Sequence, residues 1–384
     1  MRQTDSPSGD ASAAAMAEPD PPFGSNTLRL DARGWIAVTL LTLATLAALP
    51  RMWKRFEPLD DSPDYRIPYA HSNDYWHYQR IAVRAESRQQ VALLGDSVVW
   101  GEYVPPQQTL SHYLNEQAGA DRFVNLGLNG AHPLALEGLT SCYATALRDR
   151  PVVVHCNLLW MSSPERDLQV DKETTFNHPH LAPQLLPSIP CYKASLADRM
   201  GIVVDRNLEI RGWAQHLRIA YFESQDVPSW TLEHPYDNPL SQFKLTAATS
   251  QEEARHAAVP WHEQGLEQQD LPWIELETSL QWQAFRRTID MLESRGDRVF
   301  VVIGPLNEHM LTPLSRARFQ QLRVGVETWL RERKTPYMSP APLPSDEYGD
   351  ASHPLAAGYE RLAHELYGSP EFQDWIKQPE TSRQ

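Results

Sequence analysis

Short, unbroken apolar runs recur along much of the chain. Each is closed by turn-forming or polar residues and followed by a segment whose apolar positions repeat every three or four residues. The runs at 90–94, 123–126, 151–159 and 299–303, with a shorter one at 336–338, read as strands; the run at 151–159 has the continuous apolar character of a strand covered on both faces. Between them, helical spacing covers 109–117, 133–147, 279–294, 314–332 and 354–366. In the third of these Phe285, Ile289 and Leu292 share a face and Gly296 sits at the capping position; in the fourth Phe319, Leu322, Val326 and Leu330 recur at helical intervals. Alternation of this kind predicts an α/β fold, a mostly parallel sheet with helices on both faces. Ligand sites in such sheets lie beyond the carboxyl ends of the strands.

The pattern is interrupted twice. Residues 164–275 carry scattered prolines and aromatics, among them Trp213, Trp230, Trp261 and Trp273, with helical stretches expected at 194–200 and 212–221. So long a connection reads as a functional insertion or lid. At the other interruption, residues 1–33 are rich in Ser, Ala, Pro, Asp and Gly and predict a disordered tail. Residues 34–53 have the length expected of one membrane-spanning helix, built on an uncharged apolar core at 35–49 with Arg33 before it and Arg51 after it. Basic residues balance across it, so charge does not set its orientation. Residues 54–85 read as a linker that turns helical near its end, and 86–378 as the globular domain with the insertion inside it.

Composition narrows the function. The 384 residues carry a net charge of -14, which argues against nucleic acid as a partner. The 31 prolines and 12 tryptophans fit long irregular connections pinned by aromatic packing. The 3 cysteines, Cys142, Cys156 and Cys191, follow no zinc spacing; Cys156 reads as a buried thiol, and a Cys142–Cys191 disulfide is left open. With no phosphate-binding glycine loop and no cluster of metal ligands, neither cofactor nor metal is expected.

Three features carry chemistry. The strand at 90–94 ends in Gly95-Asp96-Ser97, which either closes an ordinary turn or presents a hydroxyl at the sheet's edge. Near the C-terminus, Asp350-Ala-Ser-His353 puts a carboxylate and an imidazole within one turn before a helix. Such a carboxylate can hold one ring nitrogen while the other takes the proton of Ser97, and a serine hydroxyl needs such a base to become nucleophilic. Polar residues also close the second and third strands, at Asn125 to His132 and at His155-Cys156-Asn157. Trp100 and Tyr103, after the serine, and Asn307 and His309, after the fourth strand, are further candidates for contact with substrate.

Taken in order, Gly95-Asp96-Ser97, Gly130 after Asn125, Asn157, and Asp350-Ala-Ser-His353 resemble the four blocks of the SGNH, or GDSL, hydrolase superfamily. The resemblance covers roughly residues 88–370 apart from the insertion. It implies a three-layer, flavodoxin-like α/β/α domain with Ser97 as nucleophile and His353 and Asp350 as its base pair. It also implies an oxyanion hole made by the N–H groups of Ser97 and Gly130 and the Asn157 amide. The third block departs from the family pattern, lacking its glycine and aspartate; Asn129 is the alternative donor. The implied activity is hydrolysis of an O-acyl or O-acetyl ester. The alternatives are acetyl transfer to an envelope polysaccharide with the same triad, and a non-catalytic binding module. The partners expected are an ester-bearing substrate, carbohydrate in the transfer case, and a membrane through one N-terminal helix, with the catalytic domain outside the cytoplasm.

Overall fold

The computed structural model describes residues 30–246, 248–249 and 254–377. The tail expected at the N-terminus lies outside the described residues up to residue 29. The chain divides into two units, Met1–Ala48 and Leu49–Gln384. The first carries most of α1 (Ala32–Phe56), whose 25 residues present Trp35, Ile36, Leu40, Leu41 and Leu43 to the exterior. At about 1.5 Å per residue it is long enough to cross a bilayer, and it is apolar enough to do so.

The second unit begins with a segment the sequence reading took for a linker. It is packed instead: Tyr65, Arg66 and Ile67 are all buried ahead of α2 (Tyr75–Ser87), which Asp74 caps by accepting from the His77 N–H at 3.0 Å. The sheet follows. β1 (Val91–Gly95) runs into the short α3 (Ser97–Trp100), then α4 (Leu110–Ala118), β2 (Phe123–Gly127), α5 (Pro133–Cys142) and β3 (Pro151–Cys156). The insertion contributes α6 (Leu196–Asn207), α7 (Glu209–Tyr221) and α8 (Val227–Glu233). The alternation then resumes with α9 (Leu280–Ser294), β4 (Arg298–Ile303), α10 (Pro313–Arg333), β5 (Tyr337–Met338), α11 (Ala356–Gly368) and α12 (Pro370–Lys377).

All five strands are parallel, in the order β2-β1-β3-β4-β5. Side-chain alternation sorts the strand residues between two cores. Ala92, Leu94, Val152, Val154, Val299 and Val301 face a core shared with α2, α5, α9 and α10. Val91, Leu93, Val153, Phe300 and Val302 face one shared with α4, α11 and α12. Each fully buried branched side chain of this kind contributes about 1.5–3 kcal/mol. The chain leaves β1 for β2 on one side and returns to β3 on the other, so a crevice opens above the ends of β1 and β3. All three cysteines are free thiols, so the Cys142–Cys191 disulfide is not formed.

The insertion is ordered over its described residues and has its own aromatic packing: the Phe222 ring lies 5.5 Å from Trp230 and 5.4 Å from Phe243. It is joined to the rest of the unit through polar contacts as well. His216 of α7 pairs with Asp74 at 2.7 Å and with Glu57 at 2.9 Å, and Glu57 also holds Arg80.

Candidate active site

β1 ends at the crevice, and the turn after it carries Ser97 as the first residue of α3. Asp96 caps that helix, its carboxylate accepting from the Val98 N–H at 3.0 Å. The N–H of Ser97 has no intrahelical acceptor at this position. The opposite wall is the loop before α11. There Asp350 accepts from the backbone N–H groups of Ser352 and His353 at 2.9 and 3.0 Å. This is the turn geometry expected of an aspartate, and it aims the carboxylate at its own loop's imidazole.

The two walls meet. His353 Nδ1 lies 2.8 Å from both Asp350 carboxylate oxygens, and His353 Nε2 lies 2.7 Å from Ser97 Oγ. With Nδ1–H donating to the carboxylate, Nε2 accepts from the serine hydroxyl. Burial disfavours the charged imidazole, but the Asp350 charge and hydrogen bond outweigh it and raise the His353 pKa above its ordinary 6.5. Burial opposes ionisation of Asp350 as well, yet His353 and the two backbone donors bring its pKa down to about 2. A carboxylate, an imidazole and a hydroxyl in this order can remove the serine proton, hold the resulting imidazolium and return the proton to a leaving group.

Several neighbours fix this geometry. The Tyr103 ring packs 5.8 Å from that of His353, and its hydroxyl donates to Asp350 at 3.4 Å. A Cβ at position 349 would stand 2.7 Å from the Tyr103 ring, which is why glycine precedes Asp350. Asn307 is fully buried, donates from Nδ2 to the Asp350 carbonyl at 3.0 Å and from its backbone N–H to the Ala351 carbonyl at 2.9 Å. It braces the loop that carries Asp350 and His353 and is buried, where the sequence suggested a residue open to substrate. His309, expected at the same rim, instead pairs with the Leu343 carbonyl at 3.1 Å. Trp100 is also corrected: it is buried, donates its indole N–H to the Ile67 carbonyl at 2.7 Å and lies under the Arg66 guanidinium at 4.0 Å. Arg66 in turn donates to the carbonyls of Gly101 and Val104, at 2.6 and 2.9 Å, so it clamps the turn behind the serine.

Asp96 is the centre of a second network, missed at the sequence level. Its carboxylate takes hydrogen bonds from Asn157 Nδ2 and Trp160 Nε1, both at 2.8 Å, and meets His155 Nδ1 at 3.1 Å. Burial opposes its charge, but His155 and these donors hold its pKa well below the carboxylate range. Asn157 is thereby oriented at the crevice; its Oδ1 accepts from the Leu159 N–H at 3.0 Å, and one Nδ2 hydrogen is committed to Asp96. The alternative, Asn129, has its amide on Glu102, which also pairs with His256 at 3.0 Å. Gly130 adopts φ +74, and any Cβ there would collide with the side-chain amide of Asn177 from the insertion. The only signal in the sequence for the Asp96 network was the polar triplet His155-Cys156-Asn157 closing an apolar strand. Among the described residues, no group of three or more His, Cys, Asp or Glu side chains is arranged to hold a metal ion.

No family model matches this chain, and no curated protein matches it significantly.

Proposed function

We propose that this chain is a serine-dependent ester hydrolase of the SGNH type, with Ser97 as nucleophile, His353 as general base and acid, and Asp350 orienting the imidazole. The 2.7 Å contact between His353 Nε2 and Ser97 Oγ, continued to Asp350 at 2.8 Å, carries the reading. In the reaction Ser97 Oγ attacks the ester carbonyl as His353 takes its proton. The tetrahedral oxyanion is held by the N–H groups of Ser97 and Gly130, with the remaining Asn157 amide hydrogen as the third donor. His353 then protonates the leaving alcohol, and water drawn against the same imidazole releases the acid from the acyl-serine. The five-stranded parallel order and helices on both faces agree with a flavodoxin-like SGNH domain. α1 would tether it to a membrane with the catalytic domain outside the cytoplasm.

A second reading, transfer of the acyl group to a sugar hydroxyl, draws on one observation. The insertion reaches the rim at two points: Asn177 lies against Gly130, and the His256 ring lies 5.2 Å from that of Tyr103 at a tilt of 35°. A covered acyl-serine favours a bound acceptor over water. The binding-module reading leaves the aligned triad without a use.

The full chain in detergent, given an activated acetyl ester with and without an oligosaccharide acceptor, tests the reading. Acetate release without acceptor supports hydrolysis, and acetylated sugar supports transfer. Absence of both, or equal turnover by Ser97→Ala, overturns the serine mechanism.

A further inference from the structure

The mouth of the site has a wall that the acyl-transfer chemistry does not itself require. Trp160, half-buried, hangs its indole N–H on Asp96. Trp160 and Phe176 both pack edge-on against the His132 ring, at 5.8 and 5.7 Å. The insertion adds two polar groups to this aromatic surface.

The first is Asn177. Its backbone carbonyl is held by His132 Nε2 at 3.0 Å, and the next residue, His178, is held by the Asn129 carbonyl at 2.7 Å and by Tyr75 at 2.9 Å. The backbone is thus pinned to the loop that carries Gly130. The Asn177 side-chain amide is exposed and makes no hydrogen bond to another described residue, although it lies against Gly130.

The second is Arg166, six residues beyond Trp160. Its backbone carbonyl accepts from Gln281 at 3.2 Å, and one guanidinium nitrogen touches Ser162 Oγ at 3.4 Å. The residue is exposed overall while its guanidinium is partly covered where it meets Ser162, and no carboxylate of a described residue lies within ion-pair distance of it. Burial weighs against its charge, and the charge of Asp350 favours it. A guanidinium without a carboxylate partner, held at Ser162 beside the Trp160 turn, is a ready fork for a planar anion. In a chain of net charge -14 it also offsets the repulsion that a negatively charged substrate would otherwise meet.

We propose that the substrate is an ester bearing a carboxylate on the group that lies along the Trp160 wall, and that Arg166 binds this carboxylate, with Asn177 donating to a neighbouring oxygen. The assignment rests on the serine-ester reading for its chemistry but not for its binding step. Arg166 is a specificity residue and takes no part in the bond changes at Ser97.

The test compares two esters of one shape, 3-carboxyphenyl acetate and 3-carbamoylphenyl acetate, using the full chain in detergent. The expected kcat/KM ratio favours the carboxylate by about tenfold, the scale of one charge-assisted hydrogen-bond pair. Arg166→Gln should bring the ratio to about one, and Arg166→Lys should keep part of it, because the charge remains and the fork is lost. A ratio that Arg166→Gln leaves unchanged overturns the proposal. Binding is read separately on Ser97→Ala by NMR titration with the same two esters: tighter binding of the carboxylate is expected, and the preference should vanish in Ser97→Ala/Arg166→Gln. Equal binding of both esters by Ser97→Ala overturns the proposal whatever the turnover. Preferential binding without any turnover by the unmodified chain leaves Arg166 in place and removes the esterase reading alone.

Discussion

In the proposed mechanism His353 decides when Ser97 can react, because only the neutral imidazole accepts the serine proton. Its pKa is raised above 6.5 by Asp350, so the protonated, inactive form persists to higher pH than for a free histidine. Activity should therefore rise with pH, with the midpoint of the acid limb of kcat/KM above about 6.5. Asp350→Asn should move that midpoint downward while lowering kcat; a limb that stays in place would remove Asp350 from its role. Substitution of His353 by alanine should lower kcat by at least about 10³-fold with little change in KM. Asp96 makes a different case, since it never reaches the reacting atoms. Removing its carboxylate leaves the Asn157 amide, the Trp160 indole and the His155 ring without their buried acceptor. Each buried donor left without its acceptor costs about 1–3 kcal/mol, so Asp96→Ala should lower Tm sharply in calorimetry, and Asp96→Asn, which keeps the shape, should lower it less.

At the scale of the elements, the strand ends place the chemistry and the segment before the sheet steadies it. Arg66 donates to the carbonyls of Trp100, Gly101 and Val104, which close the turn after Ser97. Arg66→Met should lower both Tm and kcat/KM, in contrast to a change at a solvent-facing position, and a variant with native kinetics would show that the turn holds itself. That clamp was illegible in the sequence, where prolines and polar residues over 54–85 suggested a linker. The strands were legible because an unbroken apolar run is a local property: Leu93 and Leu94 are adjacent in the chain and belong to opposite cores, so both positions are apolar. Asp350 and His353 were legible for a related reason, since three residues of spacing set their contact. What could not be read was everything decided by distant partners. Trp100 looked like a candidate pocket wall until Ile67 and Arg66 covered it. Asn307 looked like a rim residue until the Asp350 carbonyl took its amide. Asn177 and Arg166 sit in an insertion whose sequence has no period to follow.

Across the whole molecule, buried charge ties the Leu49–Gln384 unit together and gives its stability a pH dependence. His216 lies between Asp74 and Glu57; burial disfavours its charge, but the two carboxylates raise its pKa to about 9. Burial likewise opposes ionisation of Glu57, yet His216, Tyr221 and Arg80 lower its pKa to about 2, where Asp350 also lies. A raised histidine contributes fully below its unfolded value near 6.5 and loses that contribution as pH climbs through about 9. The depressed carboxylates contribute fully above their unfolded values of 3.8 and 4.5 and lose it as pH falls towards about 2. Tm measured against pH should accordingly be highest between about 4.5 and 6.5 as far as these groups are concerned, and His216→Gln should flatten the alkaline side. The proposed tether is tested by fractionation: the full chain should stay with membranes through alkaline carbonate and leave them in detergent, and release by carbonate alone would contradict a spanning α1. The central claim, that Ser97 is a nucleophile activated by His353, is tested most directly by labelling the folded full chain with a fluorophosphonate and locating the adduct by peptide mass spectrometry. The account predicts a single adduct on Ser97 that disappears in His353→Ala; a folded, unmodified chain that leaves Ser97 unlabelled would contradict it.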